Sequence, residues 1–272
     1  MTLTSNYGLS NEQIVRYAPS VGASHAHSSV SERYMDIPTL DVINALRDEG
    51  YAFTSVMHQL SRLPDGMLYT KHILRARKQE YLGDRRQVGD EVPEIEIVNS
   101  RGAYKAAYRI MAALFRLVCL NGLAVRTDRI GEMRVLHRGN QVAEVISATR
   151  QIADHAGEVM SLVAEMKRIE LEPAERILFA DYAERARYGE TVEGSVVHRN
   201  PAALLIPQHR EDYGKHDLNT TLNVVQEGIM RGGVKVRNGK RARAITSVDE
   251  TIRINPLLWQ FAEELRKLHT GY

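Results

Sequence analysis

The spacing of apolar positions changes repeatedly along this chain, and each change marks an element. Over residues 1–35, Ser, Gly, His and Asn are frequent and no period holds, which predicts an irregular segment. After Ile37-Pro38, Val42, Ile43 and Leu46 fall at helical spacing, predicting a short helix capped by Thr39 and closed by Gly50. Residues 52–62 and 67–80 read as strands joined by Leu63-Pro64-Asp65-Gly66, where proline presets one dihedral and Asp-Gly tolerates the next. Residues 94–98 alternate Glu with Ile and Val like a third strand. Three consecutive strands with one short turn predict an antiparallel meander.

The run that follows is almost wholly apolar from Ile110 to Leu120. With Ser100 as cap and Asn121-Gly122 as stop, it predicts a long helix from Arg101 or Ala103 to Leu120. Residues 123–126 and 133–137 read as a β-hairpin turning near Gly131. From Gln141 the period is helical again. Val145, Ile152, Val159 and Met166 recur every seven residues, a seam that a second helix from Pro173 to about Tyr188 would complete as a helical hairpin. The seam suits either oligomerisation or a buried helix within one chain. Residues 195–213 read as a linking loop, 220–230 as a helix ended by Gly232-Gly233, and 256–269 as a terminal amphipathic helix carrying Trp259.

The expected fold is therefore α+β: an antiparallel meander backed by a long helix (a β-β-β-α core), a β-hairpin, then a helical hairpin and a C-terminal helical region. The segments divide as 1–35, an irregular N-terminal stretch; 36–140, the α+β core; 141–190, the helical hairpin; and 191–272, a helical region folded onto the core.

Composition narrows the class. The chain has 272 residues, 43% hydrophobic and 26% charged, as a soluble globular protein does. No apolar run reaches the roughly 18 residues a membrane helix needs, and residues 1–22 lack the basic start and apolar stretch of a secretory signal. Cys119 is the one cysteine, which excludes an intrachain disulfide and a cysteine-based zinc site within one chain. A cytoplasmic location is expected, in the host cell if the chain is phage-encoded.

The net charge of +2 conceals three basic blocks. Residues 71–86 hold six basic and two acidic residues, 101–138 eight and two, and 231–243 six and none. On the predicted long helix, Arg101, Lys105, Arg109 and Arg116 fall within about 80° of one another. Such a stripe suits phosphates, or pairing with carboxylates such as Glu94 and Glu96. On the second strand, Lys71, Ile73, Arg75 and Arg77 share a face beside His72, with side chains about 7 Å apart. The stretch carrying Arg231, Lys235 and Arg237 is a Gly-interrupted basic loop without the Gly-Lys-Ser/Thr of a phosphate-binding P-loop. Tyr104 and Tyr108, one helical turn apart, suit base stacking or the core. His25-Ala26-His27 lacks acidic or cysteine partners nearby, so no metal is expected, and no cofactor motif or nucleophile elbow is present.

Several segments together resemble a family found widely in phages and plasmids and designated only as a domain of unknown function (number 932). The residues that carry it are Ser31-Glu32-Arg33-Tyr34 with Ile37-Pro38-Thr39, Lys71-His72-Ile73-Leu74-Arg75-Ala76-Arg77, Phe115-Arg116-Leu117-Val118-Cys119-Leu120-Asn121-Gly122, Asn223-Val224-Val225-Gln226-Glu227-Gly228 with Arg231-Gly232-Gly233, and Asn255 with Leu258-Trp259. That resemblance implies a mobile-element origin and no assigned activity. The predicted order of helix, three strands and long helix is also similar to the core of phage single-strand annealing proteins of the Red-beta and RecT type. There a basic groove between hairpin and helix holds single-stranded DNA; Lys71, Arg75, Arg77, Lys105 and Arg109 would face such a groove here.

These readings converge on a non-catalytic protein that binds single-stranded DNA by its backbone, in a sequence-tolerant and salt-sensitive way, with annealing, recombination and homo-oligomeric assembly as further expectations. The expected contacts are Lys71, His72, Arg75, Arg77, Arg101, Lys105, Arg109, Arg231, Lys235 and Arg237. The alternative is a mobile-element inhibitor that presents its basic blocks to an acidic surface of a host defence protein. A hydrolase whose site assembles only on folding is a third reading.

Overall fold

The computed structural model describes residues 2–23, 25, 27–28, 36–61, 65–83, 90–100, 108–116, 122–125, 132–136, 141–189, 200–233 and 241–271. Its frame is an antiparallel sheet in the order β1 (Thr2–Thr4), β2 (Tyr51–His58), β3 (His72–Lys78), β4 (Glu91–Asn99), β5 (Tyr108–Arg116) and β6 (Gly122–Val125), with β7 (Met133–Val135) also paired to β5. The helices are α1 (Asn11–Tyr17), α2 (Pro19–Gly22), α3 (Thr39–Asp48), α4 (Gln141–Asp154), α5 (Ala156–Met166), α6 (Pro173–Tyr188), α7 (Pro201–Leu204), α8 (Leu218–Arg231) and α9 (Val248–Thr270). The molecule is thus α+β, with an antiparallel meander and a helical C-terminal region.

The segment read as a long helix is a strand where it is described. Residues 108–116 pair with β4 from Val98↔Arg109 to Glu91↔Arg116. Ile110, Ala112 and Leu114 point to one face and Met111, Ala113 and Phe115 to the other, and all six are buried. An apolar run buried on both faces carries no alternation, so its period cannot separate strand from helix. The strand splits the basic stripe: Arg109 and Arg116 lie on opposite faces, near opposite ends of β5. The predicted hairpin is corrected as well. β6 and β7 do not pair with each other, but each pairs with β5.

One sheet face, with Leu74, Ala76, Ile95, Ile97, Ile110 and Leu114, enters the main core beneath α3 and α4. Val145, Ile152, Val159 and Met166, the seven-residue seam, are buried in that same core, in two helices that break at His155 rather than one. Part of the N-terminal segment is regular: β1, α1 and α2 lie within it. Ser10 accepts from the Gln13 backbone while the Gln13 side chain accepts from Ser10, a capping box that starts α1, and Ile14, Ala18 and Val21 join the core.

The other sheet face carries Ile73, Arg75, Arg77, Glu94, Glu96, Val98 and Met111. Val248 and Ile252 of α9 close a second apolar cluster over Met57, Ile73, Val98 and Met111. Helix α8 is buried on nearly every side, so its polar side chains need partners inside the protein. Asn219 and Asn223 donate to Glu91 at 2.7 and 3.0 Å, Lys167 pairs with Glu91 at 2.5 Å, and Gln226 donates to Asn255 of α9 at 3.1 Å. Asp217 caps the helix by accepting from the Thr220 backbone at 2.8 Å.

Candidate functional site

Among the described residues, each lysine and arginine expected on a shared nucleic-acid surface has a carboxylate partner. Antiparallel register sets Arg75 opposite Glu96, and the same register carried two residues on sets Arg77 beside Glu94. Arg75 meets Glu96 at 2.7 Å and Arg77 meets Glu94 at 2.7 Å. Arg77 is 1% exposed, its guanidinium 4.2 Å from the centre of the Phe115 ring, and Thr54 donates to the same Glu94 at 2.8 Å. Lys71 pairs with Asp249 in the first turn of α9 at 2.6 Å, and Arg109 with Glu132 at 3.3 Å. His72 is fully buried between Ser20 and Thr39, at 2.9 and 3.1 Å from its two ring nitrogens, which places Thr39 inside the fold rather than on a cap. Tyr108 belongs to the core, and His27 meets the Tyr69 ring edge-on. Arg101, Tyr104, Lys105, Cys119, Lys235 and Arg237 lie outside the described residues. Among the described residues no cluster of three or more His, Cys, Asp or Glu is placed to hold a metal.

Arg77 therefore belongs to the fold, and so in large part does Arg75. Yet the structure does bring two of the expected residues together. Arg75 and Arg231, from separate basic blocks, line one concavity of about 440 Å³ between the sheet and the C-terminal end of α8. Ser55, Met57 and Ile73 form its sheet side, and Gln226 and Met230 its helix side. Thr2, Thr4, Thr246 and Thr251 are in its wall, the Thr251 hydroxyl donating to Ser247 O at 3.0 Å.

Arg231 also lines a second hollow of about 430 Å³ at the end of α8, with Gln208, His209, Glu227 and Arg241. Shared Arg231 makes the two hollows neighbours. Glu227 accepts from His209 across 2.9 Å and pairs with Arg231 at 3.1 Å. His209 is held near by a bidentate, buried pair between Asp212 and Arg116, one of whose bonds spans 2.9 Å. Sequence reading missed His209, Asp212 and Glu227. His209 and Asp212 sit in what read as a linking loop, and no spacing announces their partners.

Glycine shapes this end of the helix. Gly232 closes α8 at φ +69, and a Cβ there would stand 2.5 Å from the Ala242 carbonyl oxygen. Neither a left-handed backbone nor that approach suits another residue. The close contact lets the Gly233 N–H donate to Ala242 O at 2.8 Å and the Ile245 N–H to Met230 O at 2.8 Å. Arg187 donates to both Ile229 O and Arg243 O, tying the returning segment to the helix end. Arg231, Arg241 and Arg243 are all exposed here. Arg241 donates to Gly233 O at 3.4 Å and pairs with no described carboxylate.

Fold and site define an α+β protein whose central polar helix ends in an arginine-lined hollow. The chain matches, over residues 26–259, the family described as Domain of unknown function (DUF932), and it belongs to that family. It is 32% identical over 261 residues to UPF0380 protein YafZ of Escherichia coli (strain K12), covering 94% of this chain and 91% of that protein. UPF0380 protein YfjQ of the same strain shows the same identity and coverage. No solved structure matches. The similarity to annealing proteins rested on a helix where β5 stands, and the described residues do not have that order. Residues that carried the family resemblance meet in space: Gln226 bonds Asn255, Glu227 pairs with Arg231, and Trp259 is fully buried. Among the described residues, no helix is long and apolar enough to cross a membrane.

Proposed function

We propose that this protein binds a nucleic-acid strand by its sugar-phosphate backbone, without catalysis, in the groove that runs past Arg75, Arg231 and Arg241. The observation that carries the reading is that Arg75 and Arg231, one from the sheet and one from α8, line a single concavity with Ser and Thr residues in its wall. Arginine and Ser/Thr hydroxyls are the usual partners of phosphate oxygens, and such contacts position a strand without reading its sequence. The planar fork of an arginine matches phosphate oxygens, and Arg241, exposed at this end of the groove, pairs with no carboxylate among the described residues. The C-terminal end of a helix disfavours anions, and arginines clustered there oppose that field.

The test is a labelled single-stranded oligonucleotide titrated at about 50 and about 200 mM salt. Binding that weakens steeply with salt and is indifferent to sequence supports the reading. Absence of binding at the lower salt removes it. Charge reversal at Arg241, which is exposed, tests the place on the surface without touching the core.

A further inference from the structure

A third concavity, of about 290 Å³, opens on the opposite side of the sheet and shares no lining residue with the groove. Its floor is made of small side chains. Ala76 and Ala112 flank Ile95 in one cross-strand row, and Ala153 and Ala156 face them from either side of the α4–α5 break. Larger residues at these positions would fill the space that the helix break leaves.

The rim has both signs of charge. Arg150 is claimed by Glu49, its Nε at 3.2 Å and Nη2 at 2.5 Å. Glu94 at the edge is held by Arg77. Lys78 donates to Glu49 O at 2.9 Å, and its ammonium stands 4.3 Å from the centre of the Tyr51 ring. Among the described lining residues that leaves Glu80 and Asp154 against Lys78, an excess of one negative charge beside an apolar floor. Burial foremost, then Asp154 and Glu49, pushes the Tyr51 phenol up to about 12, so the field at the phenol disfavours a further anion. Lys78 occupies this ring, so the carboxylates of Glu80 and Asp154 at the rim are the groups left to receive a further cation.

We propose that this cleft binds a small alkylammonium ion, its hydrocarbon chain on the alanine floor and its ammonium between Glu80 and Asp154 at the rim. A carboxylate of equal length would meet two carboxylates at the rim. A neutral alcohol would gain the floor and lose the charge.

The test is calorimetric titration of the full chain with n-butylamine, n-butanol and butyrate. Butylamine is expected to bind at least about tenfold more tightly than the other two, about 1.4 kcal/mol. Glu80→Gln with Asp154→Asn, both exposed, should remove that preference, and Ala112→Leu should fill the floor and abolish binding. No heat with butylamine, or equal affinity for all three, overturns the proposal. If Ala112→Leu fails to fold, Ala153→Leu at the helix break takes its place: retained butylamine affinity in that variant overturns the site.

Discussion

Arg77 and Arg241 are the same residue type in two settings. Arg77 lies in the sheet, 1% exposed, held by Glu94 and stacked over Phe115. Arg241 lies beyond the end of α8, exposed, with a backbone oxygen at 3.4 Å. Both come from basic blocks that look alike in the sequence. What separates them is register: the antiparallel ladder supplies Arg77 with a carboxylate on the next strand, and Arg241, outside the ladder, has none among the described residues. A run of cations is a binding surface only where the fold leaves their charge unanswered. On this comparison the sheet face is architecture, and Arg241 is the exposed arginine near the end of α8 that has no carboxylate among the described residues.

The largest expected effect comes from breaking the sheet side. Glu94→Ala leaves Arg77 charged and buried without its partner, and should cost about 3–5 kcal/mol in urea unfolding. Replacing both, as Arg77→Met with Glu94→Leu, should recover most of that loss. If the single change costs under about 1 kcal/mol, Arg77 reaches water and the comparison fails. Next is the glycine turn: Gly232→Ala, with its backbone clash, should cost about 1–3 kcal/mol, and Gly233→Ala, which has open space but φ +80, no more than about 1–2 kcal/mol. Equal losses would mean that the approach to Ala242 is not tight.

A smaller effect follows from Tyr51. Its folded pKa, up at about 12, lies above the unfolded value of 10.0, so the folded state holds the proton more firmly. The associated stability is full below pH 10.0 and declines as pH rises toward about 12. Tyr17, Tyr182 and Tyr188 are raised by burial too, so ultraviolet titration should show several late-ionising tyrosines, and Asp154→Asn should move only the Tyr51 component downward. The smallest expected change in stability, within about 0.5 kcal/mol, is for Arg241→Glu, because nothing in the core depends on that side chain. A loss of several times that size would place Arg241 in the architecture beside Arg77.

Local chemistry made much of this fold legible. The α3 spacing, the three strands β2 to β4, Pro173 at the start of α6 and Gly232 at the end of α8 were readable because each carries a period or a cap. Residues 108–116 were not, because burial on both faces erases alternation. Ser10 with Gln13 was a readable capping box in a stretch whose composition suggests disorder. Pro256 suggested a helix start, yet α9 begins at Val248, capped by Ser247, and continues through the proline. For the site, the basic blocks pointed to Arg75 and Arg231 but not to their meeting, which depends on α8 crossing from the Glu91 end of the sheet. Arg77 and Glu94 were both visible in the sequence, and their pairing required the strand register.

The central claim is that a polyanion contacts the arginines at the end of α8. The direct measurement is the slope of log affinity against log salt for a single-stranded oligonucleotide, in the native chain and in Arg231→Glu/Arg241→Glu. Each lost phosphate contact should flatten the slope by about 0.7, so the double variant should be weaker and shallower by about 1.4. A slope and affinity identical to those of the native chain would contradict the account.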